Sequence, residues 1–184
     1  MLATQLVFLH GFGEDERVWA DFLPFHTWPF PTICPAYAEW TDCATLADYA
    51  RKIVAQLPSE ANFILVGHSM GGYIALEMAS QFPERIQKVV MLHSTFVADT
   101  EEKKINRDRT ADLLEKKGTA FFIGPFLPNL FATVSQELIA TLAERYRTLP
   151  AAGLIAATKA MRDRSDFTTF VQTSNIPFLF ILGE

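Results

Sequence analysis

The chain has 184 residues, 49% of them apolar and 20% charged, with a formal net charge of −5. That composition fits one domain with a sizeable core, and the acidic balance excludes a binder that tracks nucleic acid with a basic patch. Cys34 and Cys43 are the only cysteines and lack C-x-x-C spacing, Met1 to Gly13 has no basic leader, and no stretch reaches about 18 apolar residues, so a disulfide framework, a zinc site, a secretory leader and a membrane span are not expected and a cytoplasmic protein is.

Gln5 to Leu9 predicts a strand that arrives almost at once, and His10-Gly11-Phe12-Gly13 follows it. A strand ending in H-G-x-G suggests a loop with free amides; taken alone it also reads as an ordinary glycine turn. Glu14 to Trp19 predicts a short helix, and Thr32-Ile33-Cys34, set among Pro29, Pro31 and Pro35, a short strand between breakers. Leu46, Tyr49, Ala50, Ile53, Val54 and Leu57 mark one face of a helix over Ala44 to Leu57, with Thr41 or Asp42 as candidate cap and Pro58 after its end.

Phe63 to Val66 is a buried-strand run that feeds into Gly67-His68-Ser69-Met70-Gly71, which matches G-x-S-x-G, and Met70 to Phe82 predicts a helix. Strand, sharp corner and helix are the context of a nucleophile elbow. The corner holds Ser69 in a strained conformation, the glycines at 67 and 71 leave room for it, and the serine oxygen stands at the positive end of the new helix. The alternative is a glycine-rich turn whose serine caps a helix. The H-G-F-G loop weighs against that alternative, because acyl transfer needs amide donors from separate segments.

Val89 to Leu92 predicts another buried strand, ending at His93-Ser94. Continuous apolar strands alternating with helices predict an α/β fold with a mostly parallel sheet covered on both faces. From Asp99 to Lys117, twelve of nineteen residues are charged, which reads mainly as a solvated helix face; Asp99 and Glu102 have capping-box spacing, and Gly118 suits a helix end. A Phe-rich segment with Phe121, Phe122, Phe126 and Phe131 follows, then helices over Ser135 to Leu149, Ala151 to Arg164 and Asp166 to Thr173, and a last strand over Ile176 to Leu182. A helical insert of about seventy residues is too long for a plain crossover and reads as a lid over the strand ends. The expected division is a core of residues 1–95 and 174–184 and a lid of 96–173.

On these residues the chain resembles the α/β-hydrolase superfamily, most of all its small lid-bearing serine esterases, which share H-G-x-G after an early strand and G-H-S-M-G-G at the elbow. The resemblance implies Ser69 as nucleophile, an oxyanion hole from the amides of Phe12 and Met70, and supporting roles for His10, Gly11, Gly67, His68 and Gly71. It implies ester hydrolysis through an acyl-serine, no cofactor or metal, and a small ester-like substrate; C–C bond and thioester hydrolysis use the same elbow. The Phe-rich segment, Phe121, Phe122 and Phe126, is the expected acyl pocket.

In the family the triad acid follows the strand placed here at Phe178 to Leu182, and the histidine follows one further strand. The sequence reaches Gly183-Glu184 at that point, so triad acid, histidine, last strand and helix are expected to be absent, and the 184-residue form nearly inactive. Among substitutes, His93 ends a strand near the site. His10 is expected to be structural, His68 to point away from the pocket, and His26 has no argument behind it. Asp99 and Glu184 are weak candidates for the acid, while Asp163 and Asp166 read as surface or capping residues. A second reading is a hydrolase-fold ligand-binding module without turnover. The apolar edge of strand 178–182 predicts a homo-oligomer.

Overall fold

The computed structural model describes residues 2–133 and 135–183, so Glu184 lies outside the described residues. The elements are β1 (Ala3–Leu9), α1 (Arg17–Ala20), β2 (Thr32–Ile33), α2 (Leu46–Val54), β3 (Ala61–His68), α3 (Met70–Gln81), β4 (Ile86–Leu92), α4 (Glu101–Phe126), α5 (Gln136–Tyr146), α6 (Ala151–Arg162), α7 (Thr168–Thr173) and β5 (Phe178–Ile181). The strands form one five-stranded sheet in the order β2-β1-β3-β4-β5, and every pairing is parallel.

Alternation along the strands sends side chains to two faces. Val7, Leu9, Phe63, Leu65, Val89 and Met91 join α2, α3 and the end of α6 in the main core. Leu6, Phe8 and Val66 face the other way, under Trp19 of α1 and the partly buried Leu23 and Trp28. At the sheet's edge, β5 leaves Leu179 and Ile181 exposed, and Leu182 beyond it is exposed as well. Among the described residues no helix is long and apolar enough to cross a membrane.

Two helix starts differ from the sequence expectation. Thr45, not Thr41 or Asp42, caps α2, in a reciprocal capping box with Asp48; Asp42 instead accepts from Lys52 Nζ at 2.6 Å. A box needs the carboxylate three residues after the cap, and only Thr45 has one in place. Thr100, not Asp99, caps α4, with its hydroxyl accepting from the Lys103 amide. Gly118 does end a helical stretch as expected: with φ 76° and ψ 174° it is non-helical and divides α4 into two arms.

Asp99 has a different task. Its side chain is fully buried, with carboxylate oxygens 2.6 Å from Arg164 and 3.1 Å from Arg107 of α4. Arg164 also donates to the Val97 carbonyl at 3.0 Å and lies over the Tyr73 ring of α3 at 4.3 Å. One carboxylate therefore ties the loop after β4 to the start of α4 and the end of α6, the base of the whole helical segment. The upper part of that segment has its own core of Leu114, Phe122, Ile123, Leu127, Tyr146, Leu149 and Leu154, against which Phe12 packs.

Removing the acid strands two guanidinium groups, one of them buried. Asp99→Ala is expected to lower unfolding free energy by about 3 kcal/mol, measured by urea denaturation. A change within about 0.5 kcal/mol would contradict this account.

Candidate active site

Strand register brings the site together. Leu9 of β1 pairs with Gly67 of β3, so the loop that leaves β1 at His10 lies beside the corner that leaves β3 at His68. Ser69 is at that corner with φ 50° and ψ −113°, a positive φ that a side chain makes costly by about 1–3 kcal/mol. It is held from both sides: its amide donates to Leu92 O at 2.9 Å, and Ser94 Oγ donates to its carbonyl at 2.8 Å. A Cβ on Gly71 would stand 2.2 Å from Leu9 O, and one on Gly67 would stand 2.5 Å from the Gly71 carbonyl. The backbones of β1, β3 and α3 touch here, and any side chain would push them apart.

The Met70 amide is the first N–H of α3 and has no helical acceptor by position. The Phe12 amide makes no hydrogen bond among the described residues. Met70 directly follows Ser69, and Phe12 lines the cavity that opens there. His10 is fully buried and stacks on Tyr37 at 3.8 Å between ring centroids, and Tyr37 Oη donates to His10 O at 2.6 Å. Because its Nδ1 is 2.8 Å from the Gly11 carbonyl, which only accepts, that nitrogen carries the proton. Burial lowers the His10 pKa to about 4, so the ring is a neutral brace for the loop.

A cavity of about 620 Å³ opens at Ser69, lined by Phe12, Glu14, His68, His93, Phe126 and Tyr146 among others. Of the three phenylalanines expected in the pocket, Phe126 lines it. Phe122 stands behind, against Phe126 at 4.8 Å and Phe12 at 5.7 Å. Phe121 is exposed on the other side of the helix with Lys117 over its ring, because adjacent helical positions point about 100° apart.

His68 does not point away from the pocket: it lines the same cavity as Ser69, with its Nδ1 2.7 Å from Glu14 Oε1. The same Glu14 oxygen accepts from the Gly11 amide at 2.5 Å. The carboxylate, engaged there, is outside the short helix expected from residue 14, and α1 starts at Arg17, whose amide donates to Asp15. His93 also lines the cavity, in a left-handed conformation with φ 44°. Arg107 and Tyr146 reach it from α4 and α5; the Tyr146 hydroxyl is buried without a partner among the described residues, and burial pushes its pKa up to about 12. Neither was singled out from sequence, since both sit in helical patterns that packing alone explains.

The carboxylates weighed as the acid lie elsewhere. Asp99 is taken by its two arginines, Asp163 pairs with Arg162 at the surface, and Asp166 accepts from the amides of Ala98 and Thr168. His26 packs among Phe22 and Trp28. Among the described residues no cluster of three or more His, Cys, Asp or Glu is arranged to hold a metal ion.

Comparison with known proteins agrees with this geometry. A pimeloyl-[acyl-carrier protein] methyl ester esterase from Pectobacterium carotovorum is 33% identical over 97 residues, covering 50% of this chain and 37% of its own. A 2-succinyl-6-hydroxy-2,4-cyclohexadiene-1-carboxylate synthase from an Enterobacter strain is 26% identical over 97% of this chain and 74% of its own. The matched region is only 25% to 41% of the length of several curated relatives. Among solved structures, a thermophilic esterase from Thermogutta terrifontis superimposes with a TM-score of 0.83 at 24% identity, over 99% of this chain and 72% of that one. Residues 11–174 match the sequence profile of the alpha/beta hydrolase fold, and the chain belongs to that family.

Proposed function

We propose that the protein is a serine hydrolase of carboxylic esters, acting through an acyl-serine intermediate on Ser69. The observation that carries this reading is the positive φ of Ser69 between a parallel strand and a helix. A capping serine needs no such strain, whereas a nucleophile gains from it an exposed oxygen at a helix N-terminus.

In this mechanism Ser69 Oγ attacks the ester carbonyl, and the carbonyl oxygen takes up negative charge between the amides of Phe12 and Met70. Each such donor lowers the barrier by about 3 kcal/mol. The intermediate collapses with loss of the alcohol, and water then repeats the sequence on the acyl-serine. The apolar part of the substrate lies against Phe126 and Leu142, with the helical segment 101–173 serving as lid. Both attacks need a proton acceptor. Among the described residues no imidazole or carboxylate makes a hydrogen bond with Ser69 Oγ; of the two rings that line the cavity with it, His68 and His93, His68 is engaged with Glu14. The 184-residue chain is therefore a slow nucleophile until a base is supplied.

Labelling with a fluorophosphonate and mass analysis of the adduct tests this. The chain alone is expected to label slowly at Ser69, added imidazole to speed labelling by about tenfold or more, and Ser69→Ala to remove it. No labelling of Ser69 even with imidazole would overturn the nucleophile, and rapid stoichiometric labelling without it would overturn the missing base. For the pocket, Phe126→Ala is expected to shift the preferred acyl length of p-nitrophenyl esters, measured with added imidazole, towards longer chains by opening the cavity wall. An unchanged preference would remove Phe126 from that wall.

A further inference from the structure

Glu14 takes no part in the chemistry just described, yet among the described residues it is the one side chain bonded to both halves of the site. Its Oε1 accepts from the Gly11 amide at 2.5 Å and from His68 Nδ1 at 2.7 Å, and its side chain is only 12% exposed. Gly11 directly precedes Phe12, and His68 directly precedes Ser69. We propose that Glu14 is the positioning residue of this site, one carboxylate oxygen that staples the loop carrying the Phe12 amide to the elbow carrying Ser69 and so sets their separation.

The geometry leaves few other ways to fix that separation. The loop from His10 to Glu14 has no regular structure of its own, and of its five residues His10 is braced from behind by Tyr37. From Gly11 onwards the Glu14 bond to His68 is the polar link to the elbow. The staple also closes over Gly11: a Cβ there would stand 2.8 Å from Glu14 Oε1 and 3.0 Å from His68 Nδ1 and so press on both bonded atoms.

The staple is also linked to a proton. Burial, the largest influence on His68, lowers its pKa, but the hydrogen bond and charge of Glu14 together outweigh burial and raise it above 6.5. The charged pair therefore contributes fully below the ordinary histidine range and is lost as pH rises through the raised value. Above it a neutral Nδ1–H still donates to the carboxylate, so the staple weakens without breaking. The other groups facing it are His10, neutral throughout with its pKa of about 4; Asp15, paired with Arg17; Tyr37 and Tyr146, both with raised pKa; and Asp21, His93 and Arg107 around the cavity.

The function of the staple rests on the serine-hydrolase reading, but its existence does not, and the test separates the two. In the ¹⁵N-labelled chain, the assigned Gly11 amide and His68 ring resonances are followed by NMR from pH about 5 to about 9, the range in which imidazoles titrate. Both are expected to move with one midpoint above 6.5, and in Glu14→Gln the His68 midpoint falls, because the carboxylate charge that helps to offset burial is gone. A Gly11 amide indifferent to His68, or a midpoint unmoved by Glu14→Gln, overturns the staple. For positioning, Glu14→Ala is expected to slow imidazole-assisted labelling of Ser69 by about tenfold or more, whereas Glu14→Gln, whose amide oxygen still accepts both bonds, keeps most of it. Glu14→Ala labelling at the parent rate with an unchanged amide spectrum overturns the role. If the parent chain never labels, the hydrolase reading falls, and the resonances still decide the staple.

Discussion

The constraint on which the structure turns is a backbone-to-backbone approach. Helix α3 must leave β3 so sharply that Gly71 lies against the Leu9 and His10 carbonyls and Gly67 against Gly71 itself. That contact is possible only without side chains at 67 and 71, and it leaves Ser69 no relaxed conformation. The strain is sustained by what surrounds it: a parallel sheet with apolar packing on both faces of its central strands, a bond from the Ser69 amide to the β4 carbonyl of Leu92, and the Ser94 hydroxyl on the Ser69 carbonyl. The apolar runs that make the sheet are thus also what hold a hydroxyl out of it.

Around this centre the chain uses polar groups as fasteners where apolar packing would not fix direction. The Asp99 carboxylate gathers Arg107 and Arg164 at the base of the helical segment, and Glu14 gathers Gly11 and His68 at the corner. Each acid sits in a loop directly after a strand and reaches residues far along the chain. Parallel strands end on one side of the sheet, so such loops are neighbours, and a short acidic side chain there can bridge segments that the sequence keeps apart.

This explains what could be read in advance and what could not. The strand, corner and helix around Ser69 are contiguous, so residues 63–82 disclose them. The order of the elements follows from apolar runs and helical periods, each a local pattern. The approach of Glu14 to His68, 54 residues on, follows only from the register Leu9 to Gly67, which no local pattern encodes. Taken locally, Glu14 belongs to a helix start and His68 to the far side of an elbow; both readings yield once the two loops are side by side. Asp99 misleads in the same way, since capping-box spacing is visible in sequence and a buried arginine 65 residues later is not. Phe121, Phe122 and Phe126 read as one pocket because composition does not separate helix faces, and the turn of α4 assigns one to the cavity, one to the packing behind it and one to solvent.

The position of Phe12 has a wider consequence. Its ring abuts the stacked pair Phe122 and Phe126 of the helical segment, and the same residue lines the cavity that opens at Ser69. Ring and amide belong to one residue, so they are the two ends of a short lever. Under the proposed function, whatever presses on the aromatic wall would reach the amide through that ring as a change of aim. On that same proposal, shape selection and reactivity would not be independent traits of this fold: a lineage that reshapes the wall would also shift the residue whose amide is proposed to meet the reacting carbonyl.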